Sequence, residues 1–338
     1  MVGPTTRWGV AVIGLTLVAG LGAGFRRVSE WKYGRAQVAW SIPFGSGPGE
    51  IGRGRGMNGR VYGPLAIAVN GSGRRRRLVV ADTYHGRILE ISAHAVRTIP
   101  IADSFIDAVC LSPGGREIYA VDDRTTRVWA VDSAGAKRWA ALAPAKPGYT
   151  QSIWDMAAGG AGSLWIDWIR VGRGSVETAL SRVQAKPGQG AFRQPIAERG
   201  AVASLVRSPA GNFYVALPGN SARSLQVIVY SPAGVAERSV YVQTSTPMQT
   251  PQLLGVDVRG DLYVDLGSQG HGAGPIEIFN RDGKPVAHFN VPPSPVGTWH
   301  PGYVQARGTV YLIDSTAHRF RVLRYRVYAV QRWIWRWP

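Results

Sequence analysis

Three aspartates stand inside otherwise apolar stretches of the 338-residue sequence, which makes them the first candidates for chemistry. They are Asp107, Asp155 and Asp257. Carboxylate oxygens are the ligands that hard cations such as Ca²⁺ prefer. We interpret each as a lone polar residue that faces a wet central channel. The alternative is that the three side chains converge there and bind a divalent cation.

Other residues that often carry chemistry show no such grouping. The six histidines occur in neither HxH nor HxxxH spacing, and no CxxC, GxSxG, HExxH or phosphate-loop pattern is present. The single cysteine, Cys110, lies in an apolar run, so we interpret it as a small buried side chain rather than a nucleophile. The sequence therefore identifies no catalytic residue.

A second constellation pairs an aspartate with an arginine five residues later. The pairs are Asp82 with Arg87, Asp122 with Arg127, and Asp314 with Arg319. Each aspartate ends an apolar stretch and each arginine begins the next one. A short link between antiparallel strands brings such residues close. We interpret them as structural ion pairs that fix the link; a catalytic role is the alternative.

These pairs belong to a repeat that defines the architecture. An apolar stretch, a polar or glycine-rich turn, a tight apolar strand and a short link recur six times, at intervals of 40–50 residues. The residues that follow the tight strand are 82, 122, 167, 217, 266 and 314. This period, with several strands per unit, is typical of a β-propeller. We predict an all-β, six-bladed β-propeller in which Val38–Phe44 supplies a strand that closes the last blade.

Residues 40–91 resemble the NHL-repeat family. The glycine-rich opening Phe44–Gly49, the Gly/Pro-led strand Gly63–Val69 and the Val79–Ile88 core follow that family's order. The resemblance implies a propeller but little about function. Among similarly shaped proteins, lactonases hold a metal in the central channel and amidating lyases use histidines. A lactonase-like or lyase-like enzyme with a channel metal is therefore the alternative function.

The first thirty residues read as a membrane segment. Gly9–Gly24 is uncharged and apolar, and Trp8 and Phe25 flank it, so we predict a transmembrane helix over residues 8–25. A cleaved signal peptide is the competing interpretation. Four basic residues that follow, Arg26, Arg27, Lys32 and Arg35, would place the body in the cytoplasm by the charge rule. The general layout instead favours an extracytoplasmic propeller.

The chain is strongly basic, with a net charge of +18. Such a charge favours anionic lipid or a cell-wall polymer as a partner, although arginine-rich coding bias explains it equally well; nucleic acid is not expected. At the C-terminus, Trp333, Trp335 and Trp337 alternate along an extended chain. This tail is predicted either to dock on the membrane or to pack along the outer edge of blade six.

Five segments follow from these observations. They are an N-terminal tail (1–7), the membrane helix (8–25), a basic linker (26–36), the propeller (37–330) and a Trp/Arg-rich tail (331–338). The preferred function is a membrane-anchored binding or scaffold module, with a protein, polymer or small ligand on a loop face. The sequence favours a non-enzymatic role and assigns no cofactor beyond the possible channel cation.

Overall fold

The computed structural model describes residues 25–55, 61–71, 75–101, 105–122, 127–141, 150–160, 162–172, 175–184, 192–197, 204–248, 251–267, 273–292, 294–298, 300 and 302–335. These residues form six antiparallel sheets, one for each predicted repeat, and a small two-stranded sheet. The six-bladed β-propeller is confirmed.

The first five blades each contain four strands in chain order. Blade one comprises β5 (Ile67–Asn70), β6 (Arg77–Asp82), β7 (Arg87–Ile91) and β8 (Val96–Pro100). Blade two comprises β9 (Ile106–Leu111), β10 (Ile118–Asp122), β11 (Arg127–Val131) and β12 (Lys137–Ala141). Blade three comprises β13 (Thr150–Ala158), β14 (Ser163–Gly172), β15 (Ser175–Gln184) and β16 (Phe192–Ala197). Blade four comprises β17 (Ser204–Arg207), β18 (Phe213–Pro218), β19 (Ser224–Tyr230) and β20 (Ala236–Gln243). Blade five comprises β21 (Gln252–Val256), β22 (Leu262–Asp265), β23 (Ile276–Phe279) and β24 (Pro285–Phe289).

Blade six is built from both ends of the chain. It contains β25 (Gly302–Val304), β26 (Thr309–Ile313), β27 (Arg319–Trp335) and two N-terminal strands, β1 (Phe25–Tyr33) and β2 (Gln37–Pro43). The two-stranded sheet joins β3 (Gly54–Arg55) and β4 (Val61–Tyr62). Glycines with positive φ permit the tight hairpin turns, as at Gly260 (83°) and Gly308 (76°).

Each second strand is apolar on both faces because each face meets a neighbouring blade. In β6, Leu78 and Val80 enter the core against blade six, whereas Val79 and Ala81 enter the core against blade two. This alternation is the period-two pattern of a strand with two buried faces. Within the described residues, six apolar clusters of this kind fill the six seams between consecutive blades, which closes the ring.

Strand β2 closes the propeller, as the sequence predicts. It pairs antiparallel with the first part of β27, from Gln37 opposite Arg324 to Pro43 opposite Arg319. Ile42 is buried in the seam between blades six and one, together with Phe320 and Val322. The N-terminal strand is thus held by the C-terminal one, and its removal would open the ring.

The predicted basic linker is instead a strand. Strand β1 pairs with the second part of β27, with Phe25 opposite Trp335 and Tyr33 opposite Val327. Arg26, Arg27 and Lys32 lie in β1, and Arg35 lies in the short connection to β2. The linker prediction was wrong because it considered the residues alone, whereas a backbone partner 300 residues away pairs with them.

The ends of the chain differ from the prediction in two further respects. Trp333 and Trp335 belong to β27, paired with Arg27 and Phe25, so this part of the tail continues the last strand of blade six as a paired strand. Phe25, predicted to end the helix, begins β1. Residues 1–24, with the rest of the predicted membrane helix, and Trp337 lie outside the described residues. Within the described part of the chain, no helix is long and apolar enough to cross a membrane.

Candidate functional site at the mouth of the central channel

The first strand of each blade lines the central channel. Strands β5, β9, β13, β17, β21 and β25 contact one another in a closed ring, which no other set of strands does among the described residues. We call the face where the links between second and third strands lie the mouth face. The opposite face, which carries the hairpins between first and second strands, is the turn face. These definitions locate every predicted site residue.

The three predicted channel carboxylates do not meet. Asp107 lies at the mouth-face end of β9 near the register position of Asp122, and Asp155 lies opposite Asp167, where the equivalent strands of other blades end. Asp257 follows the last residue of β21 and lies on the turn face. A five-residue strand separates the two faces by about 16 Å. The sequence analysis assigned all three aspartates to first strands, but it could not show at which end of its strand each one lies.

Asp257 instead holds a turn together. Its Oδ1 accepts the amide N–H groups of Arg259 and Asp261 at 2.9 and 3.1 Å, and its Oδ2 pairs with the Arg259 guanidinium. These partners fix the carboxylate within the hairpin, so the role is structural. Among the described residues, no three His, Cys, Asp or Glu side chains are placed to hold a metal ion. The three carboxylates therefore do not share one cation site.

Asp155 forms a different grouping, with Asp167 on the neighbouring strand. The two aspartates are direct cross-strand partners in β13 and β14, so their side chains share one face of the sheet. Asp155 accepts the amide N–H of Met156 on Oδ1 and that of Leu205 on Oδ2, both at 2.8 Å. Asp167 is buried, and its Oδ1 has no hydrogen-bond partner within the described structure.

The environment separates the proton affinities of these two carboxyl groups. Burial, with the nearby Asp155 as a second cause, raises the pKa of Asp167 to about 8. Burial also raises the pKa of Asp155, but His300 and the two amides oppose that rise. Two adjacent carboxyl groups cannot both ionise cheaply. Near neutral pH the pair therefore keeps at least one proton, and the N–H groups of Met156 and Leu205 favour the ionised form at Asp155.

His300 interacts with Asp155 from the opposite side of the channel. It precedes β25 of blade six, and its amide N–H donates to the carbonyl of Leu65 at 2.8 Å. Blades three and six face each other in a six-membered ring, so the electrostatic contact between His300 and Asp155 spans the mouth. Both residues are half-buried. Together they present a proton acceptor and a proton donor to the same space.

Blade three also forms a wall beside this site. Strand β14 continues from Trp168 to Gly172 beyond Asp167, paired on both sides, whereas β6, β10 and β22 each end at the equivalent aspartate. Five extra residues correspond to about 16 Å of strand. At the base of the wall, a β-bulge between Ile153 and Asp155 leaves Trp154 with 47% of its surface exposed. An exposed tryptophan beside a carboxylate suits a ligand with a flat or apolar surface.

Cys110 lies lower in the channel wall and contributes no nucleophile. It is a free, half-buried residue of β9 that packs against the seam between blades two and three. Burial, followed by the nearby charge of Asp155, raises the pKa of its thiol well above the ordinary value. Since the thiolate is the reactive form, this thiol is inert at neutral pH.

The predicted Asp–Arg pairs have three different outcomes. Arg87 Nε donates to Asp82 Oδ2 at 2.7 Å, and Asp82 also accepts from Gly52 N and contacts His85 Nδ1 at 2.9 Å. The backbones of Asp122 and Arg127 are directly opposite in β10 and β11. Asp314 pairs with Arg321 instead of Arg319. The predicted ion pair therefore forms in the link of blade one, whereas in the link of blade six the aspartate pairs with a different arginine.

Arg319 is diverted by the closing strand. Its Nε donates to Ser41 Oγ at 2.7 Å and its Nη2 to the Ser41 carbonyl at 3.0 Å. Arg321 lies two residues further along β27, so it shares a side with Arg319 and reaches Asp314 from there. A spacing rule that considers one blade cannot detect a competing acceptor from the other end of the chain.

Sequence reasoning missed three residues of the mouth. His300 lies in no motif, and Asp167 reads as one more repeat aspartate. The available signal was in blade three, where an Arg link is missing and the repeat lengthens to 45 and 50 residues on its two sides. The Trp154–Asp155 dipeptide was a further signal, because a tryptophan and a carboxylate interrupt a channel-lining strand.

Comparison with known proteins supports the architecture. No family model and no curated protein sequence matches the chain. A gluconolactonase from Xanthomonas campestris matches its structure with a TM-score of 0.54 and 15% identity, over 86% of this chain and 99% of that one. A Bacteroides thetaiotaomicron protein of unknown function gives 0.52 and 14%, over 94% and 87%. A luciferin-regenerating enzyme gives 0.50 and 12%, over 78% and 92%. At these identities the chain is shown to share their propeller fold.

Proposed function

We propose that the protein is an acid–base enzyme that acts on a small polar substrate at the mouth of the channel. The observation that carries this proposal is the cross-strand pair of Asp155 and Asp167 at the mouth, where His300 interacts electrostatically with Asp155. A buried carboxyl group behind Asp155, without a partner for Oδ1, adds to it. Groups whose environments push their pKa values apart are typical of general acids and bases.

Each group has a role in the proposal. Asp155 is the base, because the N–H groups of Met156 and Leu205 stabilise its ionised form and leave lone pairs free. His300 is the acid, since an imidazolium can donate a proton near neutral pH. Asp167 touches no substrate, because only 2% of its surface is exposed. It is a positioning residue that keeps its proton and so leaves the charge on Asp155.

Ester or lactone hydrolysis is the first reaction class that this pair suits. Asp155 would remove a proton from a water molecule as the water oxygen attacks the carbonyl carbon. The carbon–oxygen bond to the leaving group would then break, and His300 would protonate the released alkoxide. The products are an acid and an alcohol, and the proton on Asp155 returns to His300 through solvent. The shared fold with gluconolactonases agrees with this class but adds no residue-level support.

The binding or scaffold function predicted from the sequence is the second candidate. It rests on the propeller fold and the net charge of +18, neither of which specifies a partner. Membrane attachment, an extracytoplasmic position and a protein partner on a loop face likewise stay predictions. The mouth site is more specific, because it joins named groups in one place.

The test is whether the protein hydrolyses any member of a panel of aliphatic lactones and aryl esters. Hydrolysis is measured by the release of protons. We expect wild-type protein to hydrolyse at least one compound. Asp155→Asn and His300→Gln should each lower kcat/KM by about 100-fold, because each removes one proton-transfer group. His318→Gln is the matched control, since His318 is an exposed histidine on the same face, and it should retain wild-type turnover.

Two results would overturn the proposal. One is the absence of turnover for every lactone and ester. The other is turnover that survives both substitutions while the variants remain folded by circular dichroism. Loss of turnover in His318→Gln as well would show that the mouth face is needed as a whole rather than through Asp155 and His300.

A further inference from the structure

We propose that Arg76, Arg324 and Arg326 form a binding site for a phosphate-class anion on the turn face, at the seam between blades one and six. Arg76 comes from the hairpin between β5 and β6, and the other two come from β27. The site lies at the opposite end of the propeller from the channel mouth, so it is independent of the proposed activity.

The Tyr311 hydroxyl brings two of the arginines together. Arg76 Nη1 lies 3.5 Å from this hydroxyl, and Tyr311 is among the groups that act electrostatically on Arg324. Arg324 is also the direct cross-strand partner of Tyr311, so both side chains point from the sheet toward blade one. Arg326, two residues further along β27, projects on that same side and is exposed.

Arg324 is the electrostatically unsatisfied member of this cluster. Burial, then the charges of Arg76 and Arg326, lower the pKa of the Arg324 guanidinium, and no carboxylate is among the groups that act on it in the described structure. Among the described residues, Arg324 Nε is buried and has no hydrogen-bond partner. Repulsion between neighbouring cations and a buried donor without an acceptor both destabilise the folded state. A bound anion would neutralise the charge and accept from the donor.

Neighbouring side chains fix the arginines in place. Arg76 lies over the ring of Trp40, with its Cζ 5.5 Å from the ring centre, and Arg324 donates from Nη2 to Gln37 Oε1. Both Trp40 and Gln37 belong to the closing strand β2. A ligand at this point would therefore contact elements that meet only when the ring is closed.

Phosphate is the anion class that this arrangement fits. Guanidinium groups donate paired N–H groups in a planar fork that matches two oxygens of a phosphate. Three such groups around one point suit a tetrahedral ion better than a flat carboxylate. The phosphate could be free inorganic phosphate or the phosphodiester of a lipid headgroup, which share this chemistry.

The test measures thermal unfolding of the full chain with added anion at constant ionic strength. We expect 20 mM inorganic phosphate to raise the Tm of wild type by about 2 °C relative to chloride, because binding to the folded state alone stabilises it. Arg324→Gln and Arg326→Gln should each lose most of that rise. Arg281→Gln is the control, because Arg281 is an exposed turn-face arginine of blade five and should leave the rise intact.

A parallel series with glycerophosphoglycerol separates the two sources. A larger rise with this phosphodiester than with inorganic phosphate identifies a lipid headgroup, and the reverse identifies the free ion; either supports the site. The proposal is overturned if neither compound raises the wild-type Tm. It is also overturned if both arginine variants keep the full rise. Arg326→Gln guards against misfolding, because this exposed side chain leaves the Tyr311 and Gln37 contacts in place.

Discussion

At the scale of single residues, the mouth site carries a stability cost. Asp167 lies in a seam whose core includes Trp165, Leu180 and Leu205, and within the described structure its Oδ1 accepts no hydrogen bond that would stabilise its charge. Its folded pKa of about 8 exceeds the ordinary value of 3.8. Between these two values the folded chain binds a proton that the unfolded chain lacks, so its free energy of unfolding falls as pH rises.

Asp167→Asn should remove this loss, because an amide keeps the shape of the side chain without the charge. We expect wild type and variant to have similar stability at pH 4. At pH 8 the variant should be more stable by about 1–3 kcal/mol. Urea unfolding at pH 4, 6 and 8 measures the difference. Other buried acids also titrate in this range, such as Asp265, whose pKa is raised to about 7. They are present in both proteins, so their contribution cancels in the difference between wild type and variant.

The control is Asp282→Asn, which removes an exposed carboxylate in blade five and should follow wild type at every pH. An Asp167→Asn protein that loses stability with pH as steeply as wild type would contradict the assigned protonation. Such a result would also weaken the proposed function, since the charge on Asp155 depends on a protonated Asp167.

Residues were predictable from sequence where their partners are local. Asp82 and Arg87 face each other across a four-residue link, so spacing was enough to pair them. Arg319 has an equivalent position, yet its acceptor, Ser41, lies 278 residues away. His300 acts across the channel on a different blade. Contacts of this kind depend on how the ring closes, which a repeat alignment does not contain.

At the scale of elements, β1 and β27 form a ribbon that continues the edge of blade six. The sequence predicts a helix, a basic linker and a tail that docks on the membrane or packs along blade six. The pairing of Phe25–Tyr33 changes that expectation. Without β1, nine residues of β27 would present unpaired N–H and C=O groups, which favour edge-to-edge association.

Three truncated chains test the ribbon. The chain 36–338 should associate when its size is measured by light scattering, because it lacks β1 but keeps all of β27. The chain 25–338 should associate less, since β1 covers the edge. The chain 36–326 should also associate less, because the exposed part of β27 is removed. Equal association of all three would show that the edge of β27 is harmless.

The wall of blade three is the other element that sequence rules only half revealed. Its longer repeat interval was visible, but nothing showed whether the extra residues form a loop or extend the strands. The extra residues extend the strands because their apolar side chains continue the buried face toward blade two. These side chains are Ile153, Trp168 and Ala179. Apolar residues at alternate positions make the extension a sheet.

At the scale of the whole molecule, ring closure is the step that joins every seam. The repeat period was enough to predict six blades and a closing strand, because each repeat must bury both faces against neighbours. The same reasoning could not predict which residues of the channel would meet, since that depends on the end of each strand at which they lie.

Ile42→Asp should open this closure. It places a charge in the seam between blades six and one, where Ile42 is 7% exposed, and should cost on the order of 3 kcal/mol. Val38→Asp is the matched control on the same strand, because Val38 is 54% exposed and should change stability little. Urea unfolding measures both. Identical midpoints for the two variants would mean that β2 is not what holds the ring.

Strand β27 has a mechanical consequence. Strands β1 and β2 run in line along the same edge of it, separated by only three residues. Tension applied at the N-terminal end would travel along β1 and pull β2 lengthwise against β27. The hydrogen bonds of that pairing would then bear the load in shear, all together rather than one after another. A propeller held from this end would resist being pulled open far better than one pulled across the strand.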